Sequence, residues 1–416
     1  MSAYNSERIN AMLWSRSLVP EPLQRDPCAN YFEGYFSITL TVREKAPVLG
    51  YIEGRADAEE GAPDYPTVRC TEVGEGVMRC WQQIPQFHPN VTLIEAQVMP
   101  DHFHGLLRMT YVPRKHLGAV IRGFMTGCTH AYWDALGIPW REMKSADAPQ
   151  GKADRRYVDR SHSRSYRGPS LFVRGYNDVE PLTQAQIDTK IAYIRSNPQR
   201  RLIKGMLHDR FSIGRHQRNH QWVPATICMA LQNDRWFGQH PVELQQAWEK
   251  LLPRLNDGLD VVGNRDLLRY SMLPLVCHRA DAERFEEQRQ QVMAAARCGY
   301  VIVSAFISPR EREIKKQLAQ ESLPYIEIMD NGFSRRYKPS GKAFYACAEN
   351  RLLQLSPWTH LYDRNGTTVT REMCLIMNLL AVTVTHVADD WWKAGEIDIS
   401  AQGGEMADGD VISARI

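Results

Sequence analysis

His102 and His104 are the residues of this chain whose types and spacing most directly suggest chemistry. On a strand, side chains two apart leave the same face, so two imidazoles converge while Phe103 turns into a core. Gly105 beside them permits close approach. At that spacing the pair can share one divalent metal, and it suits two ordinary polar residues on a half-exposed strand equally well. A second pair, Tyr193 and Asn197, lies four residues apart in a segment whose apolar residues Ile187, Ile191 and Ile194 follow helical spacing. Tyrosine and amide then share a helix face off the apolar stripe. Packed over the histidine strand, that face brings the Asn197 amide oxygen to the metal and the Tyr193 hydroxyl to a phosphate held by it. Packed elsewhere, Tyr193 is a partly buried helix tyrosine and Asn197 a helix-end residue before Pro198.

The elements that must position these groups are read from period and turn chemistry. Residues 1–30 read as an arm. The run 35–42 alternates and predicts a first strand, and 48–52 a second short one, followed by a loop over 61–66. A helix is expected over 77–86. Paired strands are expected over 91–98 and 103–109, joined at Met99-Pro100-Asp101, and a helix over 117–136. Residues 141–170 are polar and without regular apolar spacing, and read as a mobile insertion. A strand at 171–174 then precedes the helix opened by Pro181 and Thr183, which Pro198 closes or kinks.

Past about residue 220 the pattern becomes apolar strands alternating with charged helices, at 259–262, 282–297, 300–305, 309–320 and 325–329, the rhythm of βαβ units. Ser308-Pro309-Arg310-Glu311 supplies an N-cap serine, a proline at the first helical position and a capping-box glutamate. Residues 395–416 read as a frayed tail. The fold class is therefore α+β, in two domains over 31–220 and 225–394.

Length supports this division, because 416 residues exceed one usual core and suggest roughly two or three domains. A 24% charged and 43% hydrophobic composition excludes wholesale disorder and fibrous repeats. The net charge of +3 (51 − 48) is too small to announce nucleic acid, so any basic surface must be local. Nine cysteines without a CxxC pair give neither a disulfide framework nor a zinc ribbon. Without a secretory h-region or a membrane-length apolar run, a soluble cytoplasmic protein is expected, with no membrane partner.

The stretch from Tyr35 to Ile203, about two-fifths of the chain, resembles the single-tyrosine HUH transposases, especially the REP-associated tyrosine transposases. The likeness is carried by YFSITLTV, by the run from HPNV to VMPDHFHGLLRM, by LGAVIRGF and by IAYIRSNPQRRLI. It implies a ferredoxin-like HUH nuclease domain with a central antiparallel sheet. It also implies His102, His104 and Asn197 as metal ligands and Tyr193 as the nucleophile. Gly175-Tyr176-Asn177-Asp178 resembles the signature before the catalytic helix, which marks Tyr176 and Asp178 as neighbours of the site. The insertion and the added C-terminal half depart from the pattern and bear on whether the element moves.

Such a site cleaves and rejoins single-stranded DNA through a 5′-phosphotyrosine intermediate. A phenol with an ordinary pKa of about 10 is a poor nucleophile at neutral pH, so a metal must polarise the phosphate. Imidazole generally favours zinc, iron or copper, whereas the resemblance implies Mg2+ or Mn2+. Two basic runs flank Tyr193: Lys152, Arg155, Arg156, Arg160, Arg164, Arg167 and Arg174 before it, and Arg195, Arg200, Arg201, Lys204, Arg210, Arg215 and Arg218 after it. They suit backbone tracking on single-stranded or hairpin DNA, with Phe211 and Trp222 for base stacking, and they suit a solvated surface as well. A homodimer is the oligomeric expectation. The alternatives are a non-catalytic hairpin or single-strand binder and a relaxase-like nicking enzyme.

Residues 260–390 resemble the Rossmann-like fold of DNA-processing protein A, through 282–329 with Ser304, Arg310, Glu311 and Glu313 at a strand-to-helix junction, and through RLLQLSPW at 351–358. That likeness implies binding of single strands or a nucleotide, and a helix N-terminus can hold phosphate. No GxGxxG or GxxxxGK[ST] is present, and a domain that only packs is the alternative.

Overall fold

The computed structural model describes residues 30–113, 116–138, 169–218, 241–335, 337–361 and 369–394. The N-terminal arm up to residue 29, the insertion up to residue 168 with six basic residues of the first run, Trp222 and the tail from residue 395 lie outside them. The described residues form two compact units that meet in sequence at Met206 and Leu207, and together they mix helix with sheet. No described helix is long and apolar enough to cross a membrane.

The first unit is built on a four-stranded antiparallel sheet in the order β4-β5-β1-β6, formed by β1 (Gly34–Thr41), β4 (Val91–Met99), β5 (His102–Met109) and β6 (Asn177–Val179). A side ribbon pairs β2 (Gly50–Glu53) with β3 (Thr67–Cys70). The period of two decides what each face of β5 meets. Phe103, Leu107 and Met109 join Phe36, Ile38 and Leu40 in a core with α1 (Glu72–Phe87) and α2 (Leu117–Ala135), through Val77, Trp81, Ile84, Ile121 and Phe124. Gly105 lies on this core face, where a Cβ would come within 2.5 Å of the Trp81 ring. Its expected close approach is therefore made to an aromatic ring and not to a metal. The opposite face, with His102, His104 and Leu106, receives α3 (Gln184–Met206), whose Ile187 and Ile194 bury against Leu106 with Tyr35 and Ile191 alongside.

Two local expectations are corrected here. Pro198 does not close helix α3, which runs through it to Met206, because its buried contacts and ion pairs lie on both sides of the proline and outweigh one lost backbone bond. Residues 171–174 make only an isolated bridge, Phe172 to Val42, where buried Leu171 and Phe172 plug the core edge.

The second unit holds a six-stranded sheet in the order β7-β8-β12-β11-β10-β9. Strands β9 (Met272–Pro274), β10 (Val301–Ser304), β11 (Tyr325–Ile328) and β12 (Leu352–Ser356) run parallel, while β8 (Leu259–Gly263) and β7 (Gly214–Gln217) continue the sheet antiparallel. Helices α5 (Phe285–Arg297), α6 (Pro309–Gln320) and α7 (Gly341–Ala348) connect the parallel strands. Helices α4 (Pro241–Asp257) and α8 (Arg371–Thr385) bury Trp248, Leu251, Met377 and Leu380 against Val301, Val303, Ile326 and Leu353. The expected βαβ rhythm is present, but β9, α4, α7 and α8 extend it. Residues 207–218, expected in the first domain, supply edge strand β7 and the short helix His208–Phe211 to this unit. Phe211 is buried and stacks on Phe344 with ring centroids 4.7 Å apart, so it is no base-stacking platform.

Candidate active site

Strand β5 presents His102 and His104 side by side, their ring centroids 4.8 Å apart. Register fixes what lies beside them: Thr39 of β1 and Gln97 of β4 flank His104 directly, and Thr41 and Met99 flank His102. Paired residues in an antiparallel sheet share a face, so Thr39 Oγ1 reaches His104 Nδ1 at 3.0 Å. His102 Nδ1 lies 2.6 Å from Asp101 Oδ1 in the turn before the strand. A carboxylate can only accept, so His102 donates from Nδ1, which leaves Nε2 as the nitrogen not engaged by Asp101.

Helix α3 brings the phenol to this face. The His104 and Tyr193 rings stand 5.6 Å apart at 81°, and the Arg200 guanidinium lies 5.3 Å above the Tyr193 ring. Tyr193, Asn197, Arg200 and Lys204 follow i, i+4, i+7 and i+11 spacing, one row along the helix. Asn197 is only 4% exposed, and its Nδ2 is buried without a hydrogen-bond partner. A buried N–H donor with no partner among the described residues is a costly arrangement for a purely structural residue.

The charges follow from this packing. Burial, then the neighbouring His102, Lys190 and Lys204, holds His104 down to about 3, so it is a neutral imidazole at physiological pH. Burial raises the Asp101 carboxyl, but the hydrogen bond and charge of His102 and the Arg201 guanidinium together hold it at about 2. Lys190, one turn before Tyr193, is lowered by burial and has no carboxylate within ion-pairing distance among the described residues.

The expected residues thus sort by contact. His102, His104 and Tyr193 come together, with Asn197 one helical turn beyond the phenol. Tyr176 and Asp178 do not share that face: Tyr176 packs on the core cluster, and Asp178 stands opposite Ile38, whose side chain is in that core. The period of two puts Asn177 beside Thr39 instead. Of the expected DNA contacts, Arg195 pairs with Glu95 at 2.6 Å and Arg201 with Asp101 at 3.2 Å, while Arg200 is buried against Tyr193. Arg174 is exposed. Thr39, Asp101 and Lys190 were not among the expected residues. Asp101 and Lys190 sit one and three residues from expected ones, but the approach of Thr39 depends on a strand register that no local signal carries.

The donor set fits a small divalent ion. Ring centroids 4.8 Å apart allow both imidazoles to reach one cation over bonds of about 2.1 Å, and an amide oxygen suits a hard ion. No cluster of three or more His, Cys, Asp or Glu side chains suited to a metal occurs among the described residues.

The strand-to-helix junction of the second unit is arranged oppositely. Glu311 accepts from the backbone amides of Ile307 (2.8 Å), Ser308 (3.1 Å) and Cys277 (3.0 Å), and its own amide donates to Ser308 Oγ. At this helix start the Ile307 and Ser308 amides are thus bonded to a carboxylate and the Glu311 amide to a hydroxyl. Ser304 accepts from Phe306 N, and the Arg310 guanidinium lies over the Phe285 ring.

No family model matches the chain. A Haemophilus influenzae protein of uncharacterised function is 27% identical over 117 residues, covering 23% of this chain and 59% of that protein. The chain therefore matches about three-fifths of that relative's length. Among solved structures, a REP-associated tyrosine transposase bound to a REP hairpin has a TM-score of 0.23 and 11% identity, covering 42% of this chain and 73% of the other. A protein described as a candidate transposase from Deinococcus radiodurans R1 has a TM-score of 0.22 and 14% identity, covering 42% of this chain and 97% of the other. Scores this low carry no weight for activity.

Proposed function

We propose that the first unit is a single-tyrosine transposase domain of the HUH type, which cleaves and rejoins single-stranded or hairpin DNA. The observation that carries this reading is the 5.6 Å approach of the Tyr193 and His104 rings, with His102 on the same strand face. The strand order β4-β5-β1-β6, with two helices on one face, supports a ferredoxin-like reading of this unit. Four adjacent parallel strands support a Rossmann-like reading of the second.

In this reading His102, His104 and Asn197 hold Mg2+ or Mn2+. The ion supplies charge neutralisation at the scissile phosphate. Tyr193 Oη forms the new bond to phosphorus as the bond from phosphorus to the 3′ oxygen breaks. The phenol loses its proton and the 3′ oxygen gains one, leaving a 5′-phosphotyrosine and a free 3′-hydroxyl. One phosphoester replaces another, so no nucleoside triphosphate is needed, and another 3′-hydroxyl can reverse the step to join strands. Arg200 holds the phenol ring from one side, and Lys190, with no carboxylate paired to it among the described residues, offers a cation to the DNA backbone.

The test uses the full chain, Mn2+ and a 3′-labelled single-stranded oligonucleotide from the DNA flanking its own gene. A denaturant-resistant labelled protein band is expected for the wild type and its loss in Tyr193→Phe. A band of equal intensity in the variant removes Tyr193 as nucleophile. Shifted DNA mobility with no covalent band in either protein favours the non-catalytic binder. Joining of two cut ends separates a transposase from a relaxase-like nicking enzyme.

A further inference from the structure

Asp101 occupies the turn between β4 and β5, with its side chain only 9% exposed, and its carboxylate meets groups from two elements. Oδ1 takes His102 Nδ1 at 2.6 Å, and the Arg201 guanidinium donates to Oδ2 at 3.2 Å and, at 3.5 Å, to Oδ1 as well. Arg201 belongs to α3, the helix that also carries Tyr193 and Asn197. The chain of contacts therefore runs from the nucleophile's helix, through one buried carboxylate, to the ring of a metal-ligand candidate. The helix has a second ion pair of comparable form, Arg195 to Glu95 at 2.6 Å, but Glu95 touches neither histidine in the described contacts.

We infer that Asp101 is a positioning residue that couples the seating of the tyrosine helix to the metal affinity of His102, with Arg201 as its link to that helix. The inference rests on reading His102 and His104 as metal ligands. The carboxylate fixes the His102 proton on Nδ1, aims Nε2 into the site and makes the ring a better donor. Arg201 in turn fixes the carboxylate. When α3 is seated, Asp101 is held between two partners and the ring cannot swing. When α3 lifts, Asp101 keeps His102 alone and both can turn away. Linkage makes the effect reciprocal: an ion drawn to the site favours the seated helix by the factor by which the seated helix favours the ion. Arg201, which sequence alone suggested as a DNA contact, acts in this account on the metal without touching it.

The test titrates the full chain with Mn2+ and reads free ion by electron paramagnetic resonance, with melting curves in the absence of metal to establish that each variant folds. Arg201→Gln is expected to raise the Mn2+ dissociation constant about tenfold, the usual size of a lost outer contact to a metal-bound histidine. Arg201→Lys, which keeps a cation beside Asp101, is expected to recover part of that loss. Arg195→Gln, which removes the helix's other ion pair, is expected to stay within about twofold of wild type, as befits an independent contact. In an Asp101→Asn background, Arg201→Gln is expected to add little, because the link is already broken. Equal effects of Arg195→Gln and Arg201→Gln, or no effect of the latter, would overturn the coupling. His104→Ala separates the two levels. Loss of Mn2+ binding there with no change in Arg201→Gln leaves the metal site standing and removes the coupling, whereas unchanged binding in His104→Ala removes both.

Discussion

The face of β5 under α3 and the turn before α6 both bury polar side chains next to an interior strand, yet they differ in what those side chains have left to give. Glu311 is held by three backbone amides, with Ser308 completing a reciprocal cap, so both of its oxygens are bonded. Asn197 is equally buried and its Nδ2 has no partner, while the fixed Nδ1 of His102 leaves the opposite nitrogen free for a ligand. A polar cluster with its bonding complete holds a fold together.

Substitution can break or sharpen this contrast. The largest expected effect is Glu311→Ala, which strands three amide donors and should lower stability by about 3 kcal/mol in denaturant unfolding, with little change in DNA adduct formation. Thr39→Val removes the partner of His104 Nδ1 and should weaken Mn2+ binding about tenfold, or about 1.4 kcal/mol, with a stability loss of about 1 kcal/mol for the unmet ring nitrogen. Asn197→Leu should run the other way in stability. Replacing an unsatisfied buried amide by an apolar side chain of similar volume should raise stability by about 1 kcal/mol while adduct formation is lost. Loss of stability there on the scale of Glu311→Ala would erase the distinction.

The smallest effect is a pH dependence. Burial raises the Glu311 carboxyl above its ordinary range, against the pull of its amide partners. A carboxyl raised in the folded state binds more protons folded than unfolded, so stability falls as pH rises from its ordinary value through its folded one. Unfolding curves of wild type and Glu311→Gln should therefore diverge in wild type's favour as pH is lowered through that window. A flat difference would show that the amides fully offset burial.

Much of this was legible in the sequence because it was local. The His102–His104 alternation, the Tyr193–Asn197 helix spacing and the Ser308 capping box each depend on neighbours within a few residues, and each appears in the structure as read. What escaped was set by register and by packing between elements. Thr39 stands beside His104 only because β1 pairs with β5 in one register out of several. Tyr176 and Asp178 lie close in sequence to that row, but the pleat turns them to the core face. Helix α3 passes through Pro198 because tertiary contacts override a local stop. The basic run after Tyr193 was read as one surface. Partners distant in sequence, Glu95 and Asp101, draw two of its arginines into structural pairs, and no local pattern announces them.

The central claim is that the phenol standing over His104 is the group that becomes bonded to DNA. The full chain can be incubated with Mn2+ and the single-stranded flanking oligonucleotide, treated with nuclease and trypsin, and mapped by mass spectrometry. Lys190 and Arg195 bound the tryptic peptide Ile191–Arg195, which contains Tyr193 as its one tyrosine. The account predicts a nucleotide phosphate on that peptide, absent after His104→Ala. A phosphate on any other tyrosine, or one on Tyr193 that survives loss of His104, would contradict it.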